Sequence, residues 1–226
     1  ANRSGASASL SVFQKHLLSR HSERVYSLDG TPVDCILSAL KGGYLPFSPD
    51  VVLSGINRGG NLGTDIVYSG TCGAARQACL EGVPAVALSC EYCVHDDGSY
   101  VLDYRRLAEF ASRNLAKLVS LCGKRDEEKG IYPCFVNVNA PSGLPYKGVK
   151  FAGISQRIYH DKVNITQEND ENLYSTCIEG GEVSSFGDES ADSLLIQSGF
   201  LALSLLYTEP VADLSFLGKG TSQFIL

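Results

Sequence analysis

Three features of the chain predict an α/β fold with helices on both faces of a largely parallel sheet and a β-rich extension at the C-terminal end. Strand-length apolar runs alternate with helical patterns: Asp50-Val-Val-Leu-Ser54, a helix-like stretch over 70–81 and Pro84-Ala-Val-Ala-Leu-Ser89 together read as a βαβ unit. Hydrophobicity in these strands is continuous rather than alternating, as expected of strands covered on both faces. From Gly148 onward short β-like pieces replace the alternation.

Thr31-Pro32-Val33-Asp34 reads as a helix start, with Thr31 as N-cap, Pro32 at the first helical position and Asp34 in the capping-box place. This helix is expected to run to Lys41, before Gly42-Gly43. Leu107, Ala111, Leu115, Leu118 and Cys122 recur at three- and four-residue spacing, so one amphipathic helix is expected over Asp103–Cys122. A strand follows at Cys134-Phe-Val-Asn-Val-Asn139 and is expected to stop at Ala140-Pro141, because proline cannot continue a central ladder. The core domain is therefore set at 1–147 and the extension, with the final core elements, at 148–226. In the extension, the polar stretch from His160 to Ser175 is expected to be a protruding hairpin, either an arm that pairs with another subunit or a solvated loop. The apolar run Gly199-Phe-Leu-Ala-Leu-Ser204 follows it.

With 226 residues, 44% of them hydrophobic, the chain can bury one sizeable core. Its 19 Lys and Arg against 25 Asp and Glu give a formal charge of −6, and no basic run is present. That balance argues against binding nucleic-acid polymers or anionic membranes, so any phosphate must be caught locally. The longest apolar runs, such as Val83–Leu88, are too short to span a bilayer and no signal peptide opens the chain. Eight cysteines lie mostly in apolar or helical stretches, the pattern of reduced thiols in a cytoplasmic protein.

A glycine-rich loop leading into a helix N-terminus presents backbone N–H groups and the positive end of the helix dipole to an anion. Ser69-Gly70-Thr71, opening a helix with Gly73-Ala74-Ala75, has that character. Upstream, Ser54-Gly55-Ile56-Asn57-Arg58-Gly59-Gly60-Asn61-Leu62-Gly63 leaves the C-terminal end of a buried strand, where open α/β sheets place ligands. Loop and helix start are expected to face one crevice.

These residues also carry a resemblance. SGINRGGNLGTDIVYSGTCGAAR is similar to the signature of the SurE family, with SGIN, a glycine-asparagine pair, an aspartate and YSGT in the same order. The likeness extends to Asn2-Arg3-Ser4-Gly5-Ala6-Ser7, Gly30-Thr31-Pro32-Val33-Asp34-Cys35 and Asn137-Val138-Asn139-Ala140-Pro141, and more weakly to Asp192 through Leu206. It implies a Rossmann-like three-layer α/β/α fold, with a C-terminal β extension exchanged between subunits of a homodimer or homotetramer. The implied activity is hydrolysis of nucleoside 5′- and 3′-monophosphates, and of short polyphosphate, with one divalent metal, Mg²⁺ or Mn²⁺. The resemblance further implies that Ser4 and Asn57 ligate the metal. It implies too that Asn61, Ser69, Gly70 and Thr71, with Gly5 and Gly59 beside them, surround the phosphate.

A hard cation needs carboxylates beside neutral oxygens. In the family these come from an Asn-Asp-Asp-Gly motif after a first strand, which is expected about 35 residues of strand, loop, helix and strand ahead of the matched positions and thus before Ala1. His95-Asp96-Asp97-Gly98 imitates that motif but follows a different strand, as an acidic turn would. Asp65 either orients site groups or caps the turn before Tyr68, and Arg58 is either a phosphate contact or a solvated loop side chain. Cys90-Glu-Tyr-Cys93 lacks the further ligands of a zinc site. YSGT is not the GxSxG elbow of a serine hydrolase, and GINRGGNLG lacks the GxGxxG spacing of a dinucleotide fold. The alternative to an active enzyme is a silent homologue that binds nucleotide or phosphate.

Overall fold

The computed structural model describes residues 8–94, 97–143, 145–170 and 172–211. In chain order the elements are β1 (Leu18–Arg20), β2 (Tyr26–Leu28), α1 (Pro32–Lys41), β3 (Val52–Arg58), a 3-10 turn (Gly63–Val67), α2 (Gly70–Leu80), β4 (Ala85–Glu91), β5 (Cys93–Val94), β6 (Tyr100–Val101), α3 (Tyr104–Arg113), α4 (Leu115–Ser120), β7 (Cys134–Pro141), β8 (Val149–Phe151), β9 (Gln156–Tyr159), β10 (Lys162–Gln167), β11 (Tyr174–Glu179), β12 (Val183–Phe186), α5 (Asp192–Gln197) and β13 (Leu201–Tyr207).

The central sheet has the order β3-β4-β7-β13-β8. β3, β4 and β7 run parallel, as continuous apolar runs require, whereas β13 is antiparallel to β7 and parallel to β8. Successive side chains of β4 point to opposite faces. Val86, Leu88 and Cys90 pack with Leu107, Ala111 and Leu118 of α3 and α4, while Ala85 and Ala87 pack with Cys72, Ala75, Ala78 and Cys79 of α2. The small residues of α2 let that helix lie close on the sheet, and α1 packs outside it. The result is a three-layer α/β/α sandwich.

α1 begins and ends where the capping signals place it. The Thr31 side chain accepts from the Asp34 N–H and the Asp34 carboxylate accepts from the Thr31 N–H, which forms a full capping box. The stretch expected to be one helix over Asp103–Cys122 is two, because Asn114 leaves helical geometry and its side-chain amide donates to the Phe110 carbonyl at 2.8 Å. The strand read as ending at Ser54 runs on to Arg58 through a register shift between Ser54 and Asn57. Gly55 takes φ +124° there, and a Cβ on it would stand 2.3 Å from the Leu88 carbonyl oxygen, so the main chain of β3 passes close to that of β4. β7 carries Pro141 as its last residue, paired opposite Glu91 at the strand end.

Beyond β7, the chain gives the central sheet its last two strands before and after an excursion. β9 pairs with β12, and β10 pairs with β11 from Lys162↔Glu179 to Gln167↔Tyr174 as an exposed hairpin. The hairpin expected over 160–175 is thus present and reaches further along the chain.

The α1 cap generates a pH-linked prediction. Burial works to raise the Asp34 pKa, but the N–H groups of Ser11 and Thr31 outweigh it and leave the pKa below its ordinary value. A depressed folded pKa stabilises the fold fully above the unfolded value near about 4 and loses that contribution as pH falls through the folded value. Thr31→Ala is expected to cost about 1 kcal/mol in urea unfolding at pH 7. Asp34→Ala should be further destabilised at pH 7, with a gap to the parent that narrows only below about pH 4.

Candidate functional site

β3 and β4 deliver their C-terminal ends side by side, with Asn57 paired to Ser89 and Arg58 to Cys90. The loop that follows is anchored by hydrogen bonds to residues far away in sequence. The Asn61 N–H donates to Asn139 Oδ1 at 2.8 Å, and its side-chain amide donates to Ser89 Oγ at 2.5 Å. The Asn61 carbonyl accepts from the side-chain amides of Asn137 and Asn139 at 3.0 and 3.1 Å. These four side chains are buried. At the far end of the loop, the Gly63 N–H donates to Asp192 Oδ2 at 2.7 Å, while Asp192 Oδ1 accepts from the N–H and hydroxyl of Ser155 and from the Ser193 N–H. A Cβ on Gly63 (φ +56°) would stand 2.5 Å from the Ser155 carbonyl oxygen, so the loop passes against the extension there.

The loop brings the chain to the start of α2. Ser69 is the N-cap, its hydroxyl oxygen accepting from the Cys72 N–H at 3.0 Å. Gly70 packs against Pro32, where a Cβ would meet the proline ring at 2.8 Å. A helix leaves its first N–H groups without intrahelical partners. Those of Gly70 and Thr71, together with the Thr71 hydroxyl, have no hydrogen-bond partner among the described residues. A cleft of about 790 Å³ brings Asn57, Thr71, Gly55 and Gly30 together. Asn57, which lines the cleft, donates from its side-chain amide to the Arg58 and Gly59 carbonyls, at 3.4 and 3.0 Å, and its Oδ1 has no hydrogen-bond partner among the described residues.

The residues singled out from the sequence are thus distributed unevenly. Asn57 and Thr71 line one cleft, and Ser69 and Gly70 precede Thr71 at the start of α2. Gly59, at φ +92°, turns the chain, and its N–H is bonded to the Cys90 carbonyl. Asn61 points inward, and both its N–H and its amide are engaged in anchoring the loop. Ser4 and Gly5, expected at metal and phosphate, lie outside the described residues, as do His95 and Asp96. Asp97, next to them, accepts from the N–H and hydroxyl of Ser99 as an acidic turn does.

Asp65 lies in the 3-10 turn before Tyr68, and its carbonyl accepts from the Tyr68 N–H at 3.0 Å. It accepts from the Arg157 guanidinium and from the Tyr159 hydroxyl, and so ties the 3-10 turn to β9. Burial and the bond to Asp65 push the Tyr159 hydroxyl up to about 12, which keeps it a donor at neutral pH. Arg58 stacks over the Tyr100 ring and donates to its hydroxyl. Sequence reading missed Asp192, Ser89 and the Asn61 contacts of Asn137 and Asn139; the polar side chains inside apolar strands were the available signal.

Asp192→Ala would strand buried donors of Gly63 and Ser155, at an expected cost of about 3 kcal/mol in urea unfolding. Asp170→Ala on the exposed hairpin turn is the control, expected within about 0.5 kcal/mol of the parent.

Comparison with known proteins agrees with this architecture. The family model described as Survival protein SurE matches residues 1–161. A 5′-nucleotidase SurE of Desulfitobacterium hafniense is 30% identical over 215 residues, covering 92% of this chain and 77% of that protein. One of Wolbachia pipientis subsp. Culex pipiens is 39% identical over 154 residues, covering 67% and 55%. One of Campylobacter jejuni is 34% identical over 169 residues, covering 73% and 62%. The crystal structure of the SurE protein from Aquifex aeolicus superposes with a TM-score of 0.71 over 97% of this chain and 83% of that one, at 24% identity, and so shares its fold. A buried loop anchor, a helix start with free donors and the extent of these matches lead to one conclusion: the chain belongs to the SurE family.

Proposed function

We propose that the protein is a metal-dependent phosphomonoesterase that hydrolyses nucleoside 5′-monophosphates to nucleoside and phosphate, with 3′-monophosphates and short polyphosphate as further substrates. The observation that carries this reading is that Asn57 and Thr71 line one cleft, at the start of a helix whose first N–H groups, those of Gly70 and Thr71, have no partner among the described residues. Relatives over most of the chain are named 5′-nucleotidase SurE.

The donor set bears on the metal. Asn57 fits a hard cation such as Mg²⁺ or Mn²⁺, since it offers an oxygen with its amide nitrogen tied back. No group of three His, Cys, Asp or Glu able to hold a metal occurs among the described residues; Asn57 and Ser4 are assigned as neutral ligands, beside carboxylates that the described residues do not supply. A cation bound there supplies charge to offset the phosphoryl oxygens. The chain's own part is positional. The first turn of α2 offers N–H groups and its dipole to the phosphoryl oxygens, and the Thr71 hydroxyl donates to one of them. The Ser69 hydroxyl proton is free to do the same while its oxygen holds the Cys72 N–H. Gly59 turns the loop and Gly5 is assigned beside the phosphate. Asn61 serves the site through the loop it anchors, and Asp65 through the turn that leads to Ser69.

Two further assignments belong to this proposal. The β10–β11 hairpin carries exposed Val163, Ile165 and Ile178 and fits an arm that pairs with a second copy in a homodimer or homotetramer. All eight cysteines are free thiols, which fits a reducing cytoplasm, and no described helix is long and apolar enough to cross a membrane.

AMP hydrolysis with Mn²⁺ tests the reading. Turnover is expected, with loss on chelation by EDTA and recovery on adding Mn²⁺ back. Asn57→Ala and Thr71→Val should each lower kcat about 100-fold, with urea midpoints near the parent. Tight AMP binding without turnover would favour a silent homologue instead.

A further inference from the structure

A cluster unused by the phosphate chemistry borders the same loop. Tyr92, just past β4, and Tyr100, on β6, meet with ring centroids 6.2 Å apart at 61°, an edge-to-face corner. Both residues are about half exposed, at 48% and 56%. The Arg58 guanidinium lies 5.3 Å from the Tyr100 ring centroid and donates to the Tyr100 hydroxyl at 2.9 Å. The corner is fixed to the site by short links. Arg58 directly follows Asn57. A Cβ on Gly59 would touch Tyr92 Cε1 at 3.9 Å. Glu91, between Cys90 and Tyr92, accepts the Gly60 N–H at 3.0 Å.

We propose that Tyr92, Tyr100 and Arg58 form the nucleobase platform of the site, a surface on which the base of a nucleoside monophosphate stacks while its phosphate lies at Asn57 and Thr71. This rests on the phosphomonoesterase reading above and names the part of the substrate that gives it selectivity. Asn57 and Arg58 are successive strand residues and point to opposite faces, so the substrate straddles the C-terminal edge of β3 and β4, where such sheets receive ligands. An aromatic ring accepts any base by its π-face. An edge-to-face corner offers one ring for stacking and a second to bound the base laterally. Arg58 braces Tyr100, and its remaining N–H groups point a cationic donor at carbonyl or ring-nitrogen acceptors on the base edge. Two half-exposed tyrosines stabilise little by burial against each other, whereas a planar ligand laid on them would remove far more apolar surface from water.

The test compares AMP with ribose 5-phosphate, the same ester without the base, using the full 226-residue chain with Mn²⁺. The parent is expected to prefer AMP by about 10-fold or more in kcat/KM, mainly through KM. Y92A/Y100A should bring that preference to within about 2-fold, and Y100F, which keeps the ring, should retain it. A preference unchanged in Y92A/Y100A overturns the platform. Equilibrium dialysis with adenosine, which has no phosphate, separates this failure from failure of the enzymatic reading. If the parent turns over neither ester but binds adenosine, and Y92A/Y100A does not, the platform stands without the hydrolase. If the parent does not bind adenosine and shows no preference for AMP, the platform falls.

Discussion

The site depends on one buried polar knot. Asn61 sits in a loop, yet its carbonyl, its N–H and its side-chain amide all end on Asn139, Asn137 and Ser89, inside strands β7 and β4. Asparagines at 0% and 1% exposure in the middle of a strand that otherwise reads Phe-Val-x-Val-x-Ala would be costly without partners. The loop supplies those partners, and the strands in turn fix the loop. Each side satisfies groups the other could not leave bare, which is why a run containing Gly59, Gly60 and Gly63 holds a defined path.

From that knot the geometry propagates in two directions. Toward the N-terminal side, the bulge at Gly55 and the pairing of Asn57 with Ser89 place Asn57 in the lining of the cleft. Toward the C-terminal side, the 3-10 turn carries the chain into Ser69 and the first turn of α2, where small residues and Pro32 set the approach. The extension holds the same loop from outside, through Asp192 on Gly63 and through Arg157 and Tyr159 on Asp65. Because β8 and β13 complete the central sheet and Asp192 opens α5, the segment after residue 147 is built into the core as well as projecting from it.

Local chemistry made much of this legible. The capping box of α1, the small-residue helix after Ser69 and the continuous apolar runs of β4 and β7 each follow from residues within a few positions of one another. Asn114 divides a helix whose apolar spacing continues across it; its N–H and its side-chain amide both donate to the Phe110 carbonyl, a contact that apolar periodicity does not report. The inward turn of Asn61 and the grip of Asp192 were hidden for another reason. Their partners lie 28 to 129 residues away, and no spacing rule reports a contact that only the folded sheet creates. The same holds for Asp65, whose nearby signals are those of a turn and whose side-chain partners come from β9.

Hydrogen exchange on the full chain, with and without AMP and Mn²⁺, probes the central claim most directly. The N–H groups of Asn61 and Gly63 should exchange slowly in both states, like those of a core strand, and those of Gly70 and Thr71 should slow only when ligand is present. Free exchange at Asn61 and Gly63, or no change at Gly70 and Thr71 with saturating AMP, would contradict a loop locked in advance to present a phosphate site.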